Sequence, residues 1–293
     1  MPLIVRATAK INLDLRILRH RSDGFHDLQT LLQSISLHDT LIFTRCRGRM
    51  TVGSRTARVP TDKKNIVWRA AEVLWRDMGC QGDPKDVAIS MTKLIPMATG
   101  LGGGSSNAAA TLRGLSSLWG VSPSVKRLRE LAASIGSDVP YFLTGGLSAG
   151  FDRGVRLRRL SDLDQYWVVL ASPTFGVPTA LAYKWFDQSP GKLPSKRPRH
   201  WRQRLRLLGN DLQESVVRRH PEIGAMVDRL QATNASLAAM TGSGSTVFAL
   251  YRCKVDAVFA RRQVRSRGWQ TVLSRTIGAS EFTRLTDPES RSR

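Results

Sequence analysis

The chain is poor in the residues that build covalent or metal frameworks. Its three cysteines, Cys46, Cys80 and Cys253, are far apart and form no CxxC pair. That excludes a disulfide scaffold and fits a reduced compartment. The five histidines are scattered without HExxH or a similar spacing, so no metal centre is expected. No apolar run, Tyr166 to Ala171 included, approaches the roughly 20 residues of a membrane span. Met1 to Ala9 lacks a long apolar core followed by a small-residue cleavage site, so no secretory leader and a cytoplasmic setting are expected. Acidic residues are scarce as well: 23 against 45 basic ones, a net charge of +22. Such a balance favours anionic partners, which include nucleic acid, anionic lipid and phosphorylated small molecules. Lys192 to Arg206 carries several basic residues, no acid and Trp201, which is the composition of a nucleic-acid patch. The excess is mostly Arg and runs along the whole chain, so compositional bias is the more economical reading. Only non-specific, salt-sensitive nucleic-acid retention is expected.

What the chain does have is glycine in one place. In Pro96-Met-Ala-Thr-Gly-Leu-Gly-Gly-Gly-Ser-Ser-Asn-Ala-Ala-Ala110, four of the five residues from Gly100 to Gly104 are glycine, and a helical pattern follows from about Asn107 to Trp119. Glycine lets backbone N–H groups converge on one anion, and a helix start adds unpaired donors and partial positive charge. No Lys follows, so this is not the GxxxxGK[ST] phosphate loop; the GxGxxG spacing of dinucleotide folds is absent too. A flexible surface loop, or glycines placed for close helix packing, is the alternative from these residues alone.

Alternation of Ile11, Leu13, Leu15 and Ile17 predicts a strand over 10–18, followed by a turn at Asp23-Gly24. Strands are expected at 28–37, 40–44 and 87–91, a hairpin within 45–61 and a helix over 65–78. Ser124 predicts the cap of a helix that Gly136 ends. Beyond about residue 148 the pattern gives a strand at 167–170, a surface loop at 187–200 and a helix at 221–231. A glycine turn at Gly242-Ser-Gly244 precedes a strand over 246–251. A basic amphipathic helix at 255–267 and a frayed polar tail close the chain. Strands and helices mix without βαβ alternation, so the fold class is α+β.

Three segments together resemble the GHMP kinase superfamily: Ala9-Lys-Ile-Asn-Leu13, Pro96 to Ala109 with one extra glycine, and Met240-Thr-Gly-Ser-Gly-Ser-Thr-Val-Phe248. Further blocks are similar to the branch whose substrate carries a cytidine diphosphate. They are Arg21-x-Asp-Gly-Phe-His-x-Leu-Gln-Thr30, Asp39-Thr40, Gly136-Ser-Asp-Val-Pro140 and Asn210-Asp-Leu212, and the resemblance spans about residues 6–280. It implies a two-domain GHMP kinase fold. The first domain, 1–148, would be similar to a domain of ribosomal protein S5 and the second would cover 149–293, with 272–285 packing back on the first. It also implies ATP and Mg2+, with phosphoryl transfer to the 2-hydroxyl of a methylerythritol unit in isoprenoid precursor synthesis. The partner would be that small-molecule substrate, with no membrane, and the chain a monomer or weak homodimer.

The same resemblance assigns residues. Asp138 is the candidate base that accepts the hydroxyl proton; on local sequence alone it reads as a helix cap. Lys10 is its candidate partner, since a cation beside a carboxylate favours the charged form and can stabilise a transferring phosphoryl group; a solvated Lys is the alternative. Pro96, Met97, Ala98, Thr99, Gly100, Leu101, Gly102, Gly103, Gly104, Ser105 and Ser106 would hold ATP. Lys93 is either a further ATP contact or solvated. Ala98 and Thr99 stand where the family commonly has smaller residues, so a narrower adenosine side is expected. Phe25 and His26 would face the cytosine, Phe25 keeping the stacking face of the family's usual Tyr without its hydroxyl; Tyr183 is the second stacking aromatic. Asn12 and Thr179 are polyol contacts. Gly242 to Ser245 is either a plain strand-entry turn or a turn beside the phosphates. No magnesium ligand is named. A different small-molecule kinase of the superfamily, or a nucleic-acid-binding protein on this fold, are the alternatives; the cytosine block argues against the first, and the intact Lys10, Asp138 and glycine loop against the second.

Overall fold

The structure, a computed structural model, describes residues 1–56, 59–189, 201–265 and 268–290. Two long antiparallel strands form its spine, β1 (Leu3–His20) and β2 (His26–Arg49), joined by the turn around Gly24. The sequence predicts three shorter strands here; the chain instead bends through β-bulges at Thr8/Ala9, Asn12/Asp14 and Ile17/Arg19 without breaking. From Val5 to Ile17 the odd positions of β1 are apolar and buried. Val5 and Ala7 enter one core, Ala9, Ile11 and Leu13 a second, Leu15 and Ile17 a third. Its even face is polar yet also buried, at Thr8, Lys10, Asn12 and Asp14. Buried polar groups are costly unless partnered, and the partners of Lys10 and Asn12 belong to the site described below.

β3 (Thr51–Ser54), α1 (Ile66–Asp77) and β4 (Lys85–Thr92) follow. The expected hairpin at 45–61 is absent: β3 pairs in parallel with β4, and α1 is the crossover that parallel pairing requires. Asn65 caps α1 by accepting from the Val67 N–H at 3.0 Å. α2 (Gly103–Trp119) and α3 (Val125–Ile135) pack beside α1. Gly114 lets α2 lie on the sheet, because a Cβ there would sit 2.4 Å from the Phe43 ring. After a 3-10 turn at Pro140–Leu143, β5 (Leu147–Phe151) pairs with β2, and β6 (Arg156–Arg159) pairs with β5. The first sheet therefore keeps the chain through Arg159, past the expected boundary at residue 148.

The second sheet begins with β7 (Trp167–Pro173). α4 (Thr179–Asp187), α5 (Gln213–Val217) and α6 (Pro221–Gln231) lead to β8 (Leu237–Met240), β9 (Val247–Tyr251), α7 (Lys254–Gln263) and β10 (Trp269–Arg275). Its order is β10-β7-β9-β8, antiparallel throughout. The amphipathic helix expected to reach 267 stops at Gln263, and 266–267 lie outside the described residues. Most of the loop expected at 187–200, and with it residues 192–200 of the basic segment, also lies outside them.

The chain then returns to the first sheet. The Ile277 N–H donates to the Ser34 carbonyl at 3.0 Å. α8 (Ala279–Thr286) lays Phe282 over Gly145, where a Cβ would stand 2.1 Å from the ring. β11 (Glu289–Ser290) pairs with Leu3 and Ile4 at the sheet edge, with Arg6 and Glu289 3.0 Å apart. Glu289 and Ser290 are thus paired where a frayed tail is expected.

Candidate active site

The glycine run opens one side of a cleft of about 1010 Å³ between the two sheets. Sequence pattern puts the start of α2 near Asn107; the helix begins at Gly103, because Gly102, with φ +72°, makes the entry turn in place of a capping side chain. The Ser106 N–H already bonds back to the Gly102 carbonyl at 2.9 Å. The N–H groups of Gly103, Gly104 and Ser105 precede it without a side-chain cap, at the positive end of the helix dipole. Ser105 lines the cleft, whereas Ser106 is buried behind it.

The second glycine turn packs backbone against this one. Gly100 has φ +84°, and a Cβ on it would stand 2.2 Å from the Thr241 carbonyl oxygen. A Cβ on Gly242 would meet the Gly100 oxygen at 3.0 Å and Lys10 Nζ at 3.3 Å. The Thr246 N–H closes the contact on the Thr99 carbonyl at 3.2 Å. Ala98 holds φ +58°, a conformation that suits glycine better. Lys93, expected at a phosphate or in solvent, sits beneath the loop and forms a buried ion pair with Asp39. The Asp39 carboxylate also accepts from the Leu94 and Ile95 N–H groups at 2.8 and 2.9 Å. With the Asn107 amide oxygen turned toward Lys93, Asn107 accepts from Nζ at 2.9 Å and donates to Asp39 at 2.9 Å.

Lys10 and Asp138 meet beside the loop. Lys10 Nζ is buried, donates to Asn12 Oδ1 at 2.6 Å and lies 3.6 Å from Asp138 Oδ2. Asn12 is fixed in turn: its Nδ2 donates to Thr30 Oγ1 at 2.8 Å, and its N–H donates to Thr241 Oγ1 at 2.9 Å. Asp138 precedes the 3-10 turn, whose entry has no side-chain cap. Its carboxylate is therefore not spent on the local capping that its sequence suggests, and with 41% of the side chain exposed it faces the cleft.

The opposite end is built from side chains. Phe25 is half exposed at the turn between β1 and β2, with the Arg153 guanidinium 4.7 Å from its ring centre. His26 is buried, stacks on Tyr183 at 5.0 Å and faces Asp187 through Nε2 at 2.7 Å. Burial pushes the Tyr183 phenol above its ordinary range, and the nearby Asp138 charge adds to that. The turn carrying Phe25 is tied by Arg21, which pairs with Asp23 at 3.1 Å and Asp27 at 2.8 Å. The Arg21 hydrogen bond holds both carboxyls below their ordinary value, Arg19 adding to the effect at Asp27. Thr179 stands at the start of α4, its Oγ1 3.2 Å from Ser243 Oγ.

Every residue assigned to the site by sequence lines this cleft except Ser106. Sequence reading missed Arg153, Lys184 and Asp187, which also line it. It also missed the partnership of Lys93 with Asp39. No local signal marks these: Arg153 and Lys184 are two among 45 basic residues, and Asp39 lies 54 positions from Lys93. The arrangement can bind a polyanion on backbone N–H groups, accept a proton at Asp138 beside a fixed cation, and offer an aromatic face to a flat ring.

The chain is similar to known proteins over most of its length. The family described as GHMP kinases N terminal domain matches residues 65–146, and GHMP kinases C terminal matches 193–269. The 4-diphosphocytidyl-2-C-methyl-D-erythritol kinase of Moorella thermoacetica is 38% identical, with 94% of this chain and 99% of that one covered. Its counterpart from Bacillus subtilis is 36% identical over 88% and 92%. A crystal structure of a 4-(cytidine 5'-diphospho)-2C-methyl-D-erythritol kinase superposes with a TM-score of 0.81 at 30% identity, covering 94% and 99%. Homoserine kinase from Cytophaga hutchinsonii, at 17% identity, TM-score 0.70 and coverage of 98% and 96%, shares the fold.

Proposed function

The chain belongs to the GHMP kinase family, among its 4-diphosphocytidyl-2-C-methyl-D-erythritol kinases, and from that premise we propose how its own residues perform the reaction. It transfers the γ-phosphoryl group of ATP to the 2-hydroxyl of 4-diphosphocytidyl-2-C-methyl-D-erythritol, in the non-mevalonate route to isoprenoid precursors. The observation that carries the assignment of roles is the Lys10–Asp138 pair, 3.6 Å apart beside the uncapped start of α2.

The triphosphate lies on the N–H groups of Gly103, Gly104 and Ser105, with the packed glycine turns holding them in place. The hydroxyl meets Asp138, which takes its proton as the bond to phosphorus forms. Lys10 offsets charge on the transferring group, its Nζ fixed by Asn12 so that little reorganisation is needed. Phe25 and Tyr183 hold the cytosine between rings and His26 reads its edge, while Asn12 and Thr179 line the path of the polyol. Mg2+ takes oxygen ligands and commonly keeps waters and substrate phosphates among them; the Ser105 hydroxyl is an oxygen the cleft wall would offer it. Bound there, it neutralises charge on the phosphates.

Among the described residues no helix is long and apolar enough to cross a membrane. The reading carries with it a cytoplasmic monomer or weak dimer, whose positive charge gives only salt-sensitive, sequence-independent nucleic-acid retention. Purified protein with ATP, Mg2+ and the cytidine-diphosphate substrate should release ADP, and homoserine or mevalonate in its place should not. ADP release with those acceptors and none with the cytidine compound would overturn the assignment.

A further inference from the structure

The base-binding end of the cleft holds a group of side chains whose chemistry exceeds base recognition. His20 closes β1 and His26 opens β2, and the two are directly opposite each other in the antiparallel register. Their rings meet edge to face, with centres 4.9 Å apart. Asp187, the last residue of α4, reaches the same point and faces His26 Nε2 at 2.7 Å. One ligand atom from each of the three residues falls within 4.8 Å of the other two. His20 and Asp187 are exposed, so a solvated ion can reach them, while His26 is buried and fixed by its stack on Tyr183. Two arginines of the adjoining strand and turn are already paired: Arg19 with Asp27, and Arg21 with Asp23 and Asp27.

We propose that His20, His26 and Asp187 form a binding site for a divalent transition ion, zinc in particular. Two imidazoles and one carboxylate are a donor set that zinc takes, with a fourth position left to water. Zinc bonds of about 2.0–2.2 Å place tetrahedral ligands roughly 3.3–3.5 Å apart. Reaching that spacing requires Asp187 to move outward slightly from His26 and the exposed His20 ring to swing inward. The two ends of adjoining strands keep the imidazoles together without the ion. His20 lies outside the Arg21-x-Asp-Gly-Phe-His block, so the site depends on a residue that base binding does not call on. Zinc on the His26 nitrogen that reads the base would exclude the cytidine compound. The metal site stands on the geometry, whereas its effect on substrate rests on the reading of His26 as the base contact.

The test titrates the full chain with zinc against a competing chelator, for the native protein and for His20→Gln. One zinc should bind the native chain, and the substitution should weaken it by more than about tenfold, the lower end of what even an outer-shell partner costs a metal site. Zinc held by the free thiols of Cys46, Cys80 or Cys253 would survive the substitution, so equal binding by the two proteins overturns the site. In parallel, zinc should raise KM for the cytidine substrate in the native enzyme and leave kcat unchanged, with His20→Gln resistant. Loss of zinc binding in His20→Gln without any effect of zinc on KM would uphold the metal site and remove His26 from the base.

Discussion

The two ends of the cleft are made of different material. At the end proposed for phosphate the proposed binding groups are backbone N–H groups, held by glycine turns that touch one another at distances no Cβ could share. At the end proposed for the base they are side chains, Phe25, His26 and Tyr183, converging from a turn, a strand and a helix. A backbone site is specified by what must be absent, so its signature is a run of glycines readable in one dimension. A side-chain site is specified by a meeting in space, and changing one ring for another leaves its geometry standing. Phe25 in place of the family's usual Tyr is such a change, while Ala98, in a glycine-like conformation at φ +58°, is a deviation at the end that tolerates few.

The contrast can be broken most sharply where the two ends meet. Asp138→Asn should lower kcat by about 10²–10⁴-fold, the range for a positioned acid or base, with ATP affinity by calorimetry nearly unchanged. Wild-type turnover in that variant would remove Asp138 from the role of base. Next is the support under the glycine loop. Lys93→Met leaves the buried Asp39 charge without its cation, and breaking a buried pair from one side costs about 3–5 kcal/mol. Denaturant unfolding should show that loss, and a stability like the native chain's would mean the pair is not needed.

Gly100→Ala should cost about 1–3 kcal/mol from the positive φ alone. The 2.2 Å approach to Thr241 adds to this, and ATP binding should be lost before substrate binding. Equal loss of both ligands would show that the two ends are not separable. The smallest effect belongs to the base end. Phe25→Ala should raise KM for the cytidine substrate by roughly 5–150-fold, from the ~1–3 kcal/mol of one stacked base, and leave KM for ATP alone. A matching rise for ATP would refute the division of labour.

That Lys10, the glycine run and Asp138 would meet in one cleft was legible in the residues, and the other end only where a motif was continuous. Lys10, the glycine run and Asp138 lie in ordered blocks, and β1 announces itself by its alternating Ile11, Leu13, Leu15 and Ile17. Propensity misplaced the start of α2 because glycines weaken a helix locally, whereas here Gly103 and Gly104 form its first turn, with Gly103 packed closely on Ile95. The hairpin expected at 45–61 failed because the partner of β3 lies beyond α1, at a distance that turn chemistry does not sense. Asp187 and Arg153 entered only through folding, since nothing nearby in the chain distinguishes either from an ordinary surface charge.

The return of the C-terminal segment to the first sheet sets a timetable for the ribosome. Ile277 bonds to Ser34, Phe282 covers Gly145, and Glu289 and Ser290 pair with the outer edge of β1. The sheet that opens at Leu3 is therefore completed by residues synthesised after the whole of the second sheet. Until they emerge, the nascent chain carries an uncovered β1 edge and an unfilled seat for Phe282, and exposed edges invite pairing between chains. Fluorescence-reported aggregation of stalled nascent chains should fall once residue 290 clears the exit tunnel.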